Sequence, residues 1–257
     1  MMFGLRNQKG SCWVNAGLQG VLRIPDLQQR FASNKEDENN PVEVCLAEIW
    51  NSRGEEGLKD LYSCVKTSTM PAGEGIGDSH EFMEYLCDKV PILDKLMRFK
   101  VAQTIECVHC GHKETRRDSM LEFSITPSSR KQRAIDAITE AVQPHIVPDW
   151  RCDECKQRKG CKKQLLLSEF PRVLMIHKLS VNTAVDYTPV MVLNNIQYAL
   201  FAVICFTGGH WMTWGRNLPP GQSWYRLDDS HIQKFDATHV PIVDSSLRLL
   251  MYYRLTE

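Results

Sequence analysis

Cys12, His210 and the adjacent acids Asp228 and Asp229 are the side chains of this 257-residue sequence whose types and contexts suit covalent chemistry. A cysteine attacks as its thiolate, and a thiolate nucleophile needs a base and a group that orients the base. Cys12 stands where the segment GLRNQKGS meets a helical pattern. The partial positive charge and free N–H groups of a helix N-terminus favour thiolate over thiol. His210 follows two glycines in GGHW (208–211), at the start of an expected strand, and WYRLDDS (224–230) brings two carboxylates to the end of the next one. Strands joined by a loop such as NLPPGQS (217–223) become neighbours, so an acid on one reaches the imidazole on the other. Each residue also has a plainer reading: a small buried cysteine, a satisfied structural histidine, a turn-forming Asp-Asp.

A second constellation is metallic. Of ten cysteines, four fall in two C-x-x-C pairs, Cys107/Cys110 and Cys152/Cys155, in the contexts CVHCGHK and CDECKQRKG. Two such knuckles supply four thiolates to one tetrahedral zinc. The 41 residues between the pairs exceed ribbon spacing, so the fold must bring the knuckles together. Four reduced buried cysteines, or a disulfide pair, is the alternative. His109, His112 and Cys161 are nearby spare ligands, read as surface or packing residues. The chain is too large to need disulfide staples, so a reducing, intracellular compartment, cytoplasmic or nuclear, is expected.

The elements that must position these groups divide the chain. Residues 12–32 read as a helix interrupted by Pro25, 42–51 and 56–67 show helical spacing, and 67–77 is turn-rich. DSHEFMEYLCDKV (78–90) opens with Asp78 and Glu81 in a capping-box arrangement. Beyond residue 98 the pattern becomes mostly strand: 97–107, 120–127, 164–181, 197–208, 210–216, 223–229 and 247–255, with a short helix at 134–142. Helices first and antiparallel strands after make an α+β layout. Lys+Arg and Asp+Glu both number 31, which argues against a nucleic-acid partner and for no anionic membrane. A zinc-ribbon nucleic-acid module would leave Cys12 and His210 unexplained. No apolar run of spanning length occurs, and MMFGLRNQKG resembles neither a secretory nor a transit leader.

In this order the segments resemble the ubiquitin-specific protease family of papain-like cysteine proteases. GLRNQKGSCWVNAGLQ (4–19) is similar to its cysteine box, Gly-Leu-x-Asn-x-Gly-x-Thr-Cys-Tyr-x-Asn-x-x-Leu-Gln. GDSHEFMEYL (77–86) resembles its Gln-Asp-Ala-His-Glu-Phe-Leu box, and FPRVLMIHKLS (170–180) its Leu-Pro-x-Val-Leu-x-x-His-Leu-Lys-Arg-Phe segment. YALFAVICFTGGHW (198–211) resembles the histidine box, WYRLDDSHI (224–232) the segment after it, and LMYYRL (250–255) the closing strand. The resemblance implies a single catalytic domain over 1–257, with a helical thumb (1–98), zinc-ribbon fingers (99–175) and a β-rich palm (176–257). It implies Cys12 as nucleophile, His210 as base, Asp228 as third triad member, Asp229 as neighbouring acid and Asn7 as oxyanion donor. Cys107, Cys110, Cys152 and Cys155 fall where the family's finger ribbon lies. The implied activity is a thiol isopeptidase cleaving after the C-terminal Gly-Gly of ubiquitin or a ubiquitin-like protein. Alternatives are a ubiquitin-gripping scaffold of weak activity, or an isopeptidase for another modifier such as SUMO.

The sequence departs from the family pattern in particular places. Lys9 replaces a glycine, Gly77 replaces a glutamine, and Cys205 replaces the first histidine of the histidine box. Only 17 residues separate Ser180 from Tyr198, and a six-residue run joins Cys205 to His210. The loops beside the cleft are therefore expected to be trimmed and Cys12 to be well exposed.

Overall fold

The apolar run after Cys12 forms α1 (Cys12–Val21), and all ten of its residues are buried. This computed structural model describes residues 2–66, 77–127, 131–181, 183–218, 223–236 and 245–255. Pro25 ends the first pattern and starts the second, standing at the first position of α2 (Pro25–Ala32), where its missing N–H costs nothing. In α3 (Pro41–Asn51) the cap is Asn40, whose side chain accepts from the N–H groups of Val42 and Glu43. There follow α4 (Leu58–Lys66), α5 (Ser79–Lys89) and α6 (Pro91–Met97). Asp78 caps α5 by accepting from His80 N at 2.7 Å. Of the expected turn-rich stretch 67–77, all but Gly77 lies outside the described residues, as do residues 219–222 of the expected loop 217–223.

The strands make a small sheet and a large one. The small sheet has the order β2–β1–β6–β5, formed by β1 (Phe99–Cys107), β2 (Lys113–Met120), β5 (His145–Val147) and β6 (Cys161–Leu167), all antiparallel. The large sheet contains β3 (Glu122–Ile125), β7 (Val173–Lys178), β9 (Val190–Leu193), β10 (Ile196–Thr207), β11 (His210–Gly215), β12 (Trp224–Asp228), β13 (His231–Phe235) and β14 (Leu247–Arg254). Its order is β13–β12–β11–β10–β14–β7–β3, with β9 also on β10, and only the β3–β7 pair is parallel. A parallel pair, β4 (Lys131–Arg133) with β8 (Ala184–Asp186), and α7 (Ala134–Val142) complete the described elements.

The large sheet is covered on both faces, which is why its central strands read as unbroken apolar runs. Along β14, Leu249, Met251 and Tyr253 pack with the helices around α1, while Leu247, Leu250 and Tyr252 pack in a second core on the other face. From Leu249 to Tyr253 the alternation is the two-residue period of a strand, and Leu247 departs from it where the β10–β14 register shifts. Each fully buried side chain of this kind contributes about 1.5–3 kcal/mol of transfer free energy. Among the described residues no helix is long and apolar enough to cross a membrane.

Candidate active site

The Cys12 loop is built by hydrogen bonds from its own side chains. Asn7 Oδ1 accepts from Gly10 N at 3.0 Å and Ser11 N at 3.1 Å, and Ser11 Oγ accepts from Gln8 N at 2.8 Å. Lys9 and Gly10 both sit at positive φ, 51° and 88°. Lys9 thus holds a left-handed conformation at a cost of roughly 1–2 kcal/mol that a glycine would not incur. The loop delivers Cys12 as the first residue of α1. Behind it, Thr213 Oγ1 donates to Ala16 O at 2.7 Å and fixes α1 against β11.

His210 is aimed by its hairpin. Thr207 pairs with His210, and the two loop residues between them, Gly208 and Gly209, have φ of 59° and 82°. Two successive left-handed residues are what a tight two-residue hairpin of the strands' own twist requires. In the neighbouring ladder Thr213 lies opposite Leu227, and Asp228 is the next residue. His210 Nε2 and Asp228 Oδ1 are 2.7 Å apart, and Arg226 Nη2 donates to Asp228 Oδ2 at 2.8 Å. With Nε2 engaged, Nδ1 is the imidazole atom left for proton exchange.

Asp229 has a different set of partners. It accepts from Asn7 Nδ2 at 2.8 Å on Oδ2 and from Asn15 Nδ2 at 2.7 Å on Oδ1. Its carbonyl accepts from Leu5 N at 2.8 Å, and its own φ is 52°. Next to it, Gly4 lies so close that a Cβ would stand 2.5 Å from Ser230 O. The β12–β13 turn thereby braces the segment leading to Cys12.

Cys12 opens onto a cleft of about 670 Å³, shared with Trp13, Gly77, Asp78, Glu81, Phe206 and the two neighbours of His210, Gly209 and Trp211. Cys12 itself is only 8% exposed, so access runs through this cleft rather than over an open surface. The short loops do not bare it because α1 is enclosed by helices and sheet along its whole length. A larger cleft of about 860 Å³ lies between the N-terminal segment and residues 53–60, and among the described residues neither cysteine nor histidine lines it. One of the sequence departures shapes the cleft wall: a Cβ on Gly77 would come within 2.3 Å of the Trp13 indole.

Cys107, Cys110, Cys152 and Cys155 are brought together at the end of the small sheet, with all four sulfurs within 4.8 Å of one another. Cys107 and Cys155 Sγ are 3.9 Å apart, Cys110 and Cys152 Sγ 3.8 Å. A tetrahedron with Zn–S of about 2.3 Å has edges of about 3.8 Å, so the cluster fits zinc, and these separations exclude a disulfide. The residue after each second cysteine is left-handed, Gly111 at 71° and Lys156 at 59°. The Cys110 and His109 backbone N–H groups aim at the Cys107 sulfur and hold its thiol down at about 7. Cys161 pairs with Cys107 across the β1–β6 ladder but is not part of the cluster. None of the ten cysteines forms a disulfide.

The model of one protein family, ubiquitin carboxyl-terminal hydrolase, matches residues 3–252. The chain belongs to the ubiquitin carboxyl-terminal hydrolase family. Within that family, ubiquitin carboxyl-terminal hydrolase 23 of Arabidopsis thaliana is 23% identical over 224 residues, covering 77% of this chain and 25% of the relative. Ubiquitin carboxyl-terminal hydrolase 17-like protein 13 of Homo sapiens is 22% identical over 301 residues, covering 99% of this chain and 56% of the relative. The chain thus spans about a quarter and about half of these two relatives. The SAGA DUB module of Ubp8, Sgf11, Sus1 and Sgf73 bound to monoubiquitin superposes with a TM-score of 0.82 at 17% identity, over 99% of this chain and 69% of that one. The same module bound to ubiquitin aldehyde gives 0.81 at 16% identity, over 99% and 70%. These likenesses fix the fold, an α+β ubiquitin-specific protease fold whose cysteine cluster is consistent with a zinc ribbon.

Sequence reasoning assigned no role to Asn15 or Arg226. Arg226 had a signal, since it precedes Asp228 by two residues on a strand and so shares its face. Asn15 is three residues into α1 from Cys12, one turn along the same helix, and its partner Asp229 is visible only once β12 is placed.

Proposed function

We propose that this chain is a cysteine-type deubiquitinating isopeptidase, cleaving after the C-terminal Gly-Gly of ubiquitin or a ubiquitin-like modifier. The observation that carries the reading is the His210–Asp228 bond of 2.7 Å, held on two adjacent strands beside a cleft that Cys12 opens onto. Cys12 Sγ attacks the carbonyl of the terminal glycine. His210 Nδ1 takes the thiol proton and gives it to the departing lysine amine. Water, activated by the same imidazole, then hydrolyses the thioester on Cys12. Asp228 fixes the tautomer by accepting from Nε2. One hydrogen of the Asn7 amide is committed to Asp229. The other, with the Cys12 backbone N–H, stabilises the tetrahedral oxyanion.

Family membership and neighbours bound to monoubiquitin and to ubiquitin aldehyde support ubiquitin as the partner. In this reading the helices through residue 98 form a thumb, 99–175 the fingers and 176–257 the palm. A structural zinc on Cys107, Cys110, Cys152 and Cys155 ties the finger tip together. Ten cysteines without a disulfide suit the cytoplasm or nucleus. Neither nucleic acid nor membrane has a role.

A panel of propargylamide probes built on ubiquitin and on SUMO tests the proposal. Labelling of Cys12 by the ubiquitin probe, lost in Cys12→Ala, is expected. Labelling by the SUMO probe alone reassigns the modifier. Ubiquitin binding without labelling by either reassigns the chain as a scaffold.

A further inference from the structure

Away from Cys12, three ionisable side chains converge from three elements. His80 is the second residue of α5, Glu122 the first of β3, and His177 lies near the end of β7. In the parallel β3–β7 ladder Ser124 stands opposite His177 and Glu122 opposite Met175. Met175 packs with the helices, so by the two-residue period His177 faces them too, and α5 brings His80 to the same place. His177 Nδ1 is 3.1 Å from Glu122 Oε1, and His80 Nε2 hydrogen-bonds Glu122 Oε2. The side chains are 14–16% exposed, and their three donor atoms lie within 4.8 Å of one another.

The two imidazoles stack, with centroids 4.0 Å apart and planes at 25°. Two imidazole nitrogens and one carboxylate, partly buried and close enough to share an ion, form the donor set that borderline divalent metals take. Glu122 and Ser124 line a cavity of about 430 Å³ with Glu84, which lies one helical turn from His80 on α5.

We propose that His80, Glu122 and His177 form a second divalent-metal site, of zinc class, separate from the cysteine tetrad, with water completing its coordination. The same ion bolts α5 to the large sheet. Because α5 and its cap carry Glu81 and Asp78 into the wall of the Cys12 cleft, an ion here stiffens that wall without touching the reacting atoms.

Cobalt distinguishes the two sites. Metal-stripped, reduced full chain is dialysed against Co²⁺, with bound metal counted by mass spectrometry and absorption recorded. Thiolate-to-cobalt charge transfer counts the tetrad, whereas a site of nitrogen and oxygen donors gives only weak d–d bands. The wild type should bind one equivalent more than the charge-transfer band accounts for. Glu122→Gln and His177→Asn should each lose that equivalent and keep the charge-transfer band. Wild-type cobalt fully accounted for by charge transfer overturns the site, and this measurement needs no variant to fold. Retention of the extra equivalent in His177→Asn also overturns it, assigning the metal to surface histidines. Activity is not read, so the outcome does not depend on the proposed isopeptidase function.

Discussion

Asn7 and Asp229, 222 residues apart in sequence, share a hydrogen bond of 2.8 Å in which the amide donates to the carboxylate. The acid next to the partner of His210 is thereby committed to the Cys12 loop. Asp229→Ala should therefore act through Asn7 and not through His210. We expect kcat to fall about tenfold or more, the scale of losing a positioned oxyanion donor's alignment. The pH profile of kcat/KM should keep its shape. An altered profile, measured on a ubiquitin fluorogenic substrate, would place Asp229 on the imidazole instead.

Asp228→Ala is expected to be the worse of the two substitutions. Asp229 already accepts from Asn7 and Asn15 and sits in a left-handed turn, so it is not free to take over the His210 Nε2 bond. Loss of the orienting acid should cut kcat by roughly 10³–10⁴-fold, as in other triads. His210→Ala should lose at least as much, and Cys12→Ala all turnover with modifier binding retained. Steady-state kinetics of the four alanine variants, with binding measured by calorimetry, checks the order.

Gly77 and Trp13 form a matched pair. Restoring the family's glutamine alone, Gly77→Gln, drives a Cβ into the indole. Overpacking of this kind should cost about 1–3 kcal/mol. Adding Trp13→Tyr, which shrinks the ring, should recover a large part of that loss. Urea melts of the two single variants and the double variant give the coupling energy, and additive losses would contradict the pairing.

Burial pushes the thiols of Cys45, Cys87 and Cys205 up to about 12. All three should resist iodoacetamide at pH 8 in the native protein, while Cys12 is alkylated. Their raised folded values stand above the free thiol value of about 8.5, so the unfolded chain ionises first. The stability they contribute is complete below about pH 8.5 and is lost progressively as pH rises towards 12. Burial shifts Tyr85, Tyr198 and Tyr253 in the same direction, to about 12. Urea midpoints should accordingly fall from pH 8.5 upward, and a flat profile to pH 10 would contradict the shifts.

Chelation should release one metal from the cysteine tetrad and loosen the small sheet first. Hydrogen exchange should quicken in β1, β2, β5 and β6 before it quickens in α1 or β11, because metal binding and local folding are linked there. Uniform quickening across both sheets would show that the tetrad supports the whole molecule.

How much of the fold and site was legible in the sequence depended on where the constraint lies. Helix α1, its cysteine and the strands β10, β11, β12 and β14 show as the apolar runs that the buried sheet demands. The strand β2, KETRRDSM, does not: it is almost wholly exposed and has no alternation, and it is a strand because β1 offers it a ladder. The same holds for β13, HIQKF, at the edge of the large sheet. In the site, Cys12, His210 and Asp228 carry local signals. The Asp229 brace joins the first residues to a turn far along the chain, and the His80–Glu122–His177 cluster needs three elements in place. Neither leaves a mark on any short window of sequence.

The position of β14 has a consequence for synthesis. It lies between β7 and β10, so those two strands meet only through a segment translated after both of them. On the ribosome, each half of the large sheet waits with an unpaired apolar edge, the kind of surface that recruits chaperones and aggregates when left alone. The β10–β11 hairpin bearing His210 can form early, but the core that seats α1 against it closes only when Leu249, Met251 and Tyr253 arrive. Nascent chains stalled before β14 should therefore be protease-sensitive and inert, which makes maturation of the cleft a late, all-or-none event in the life of the polypeptide.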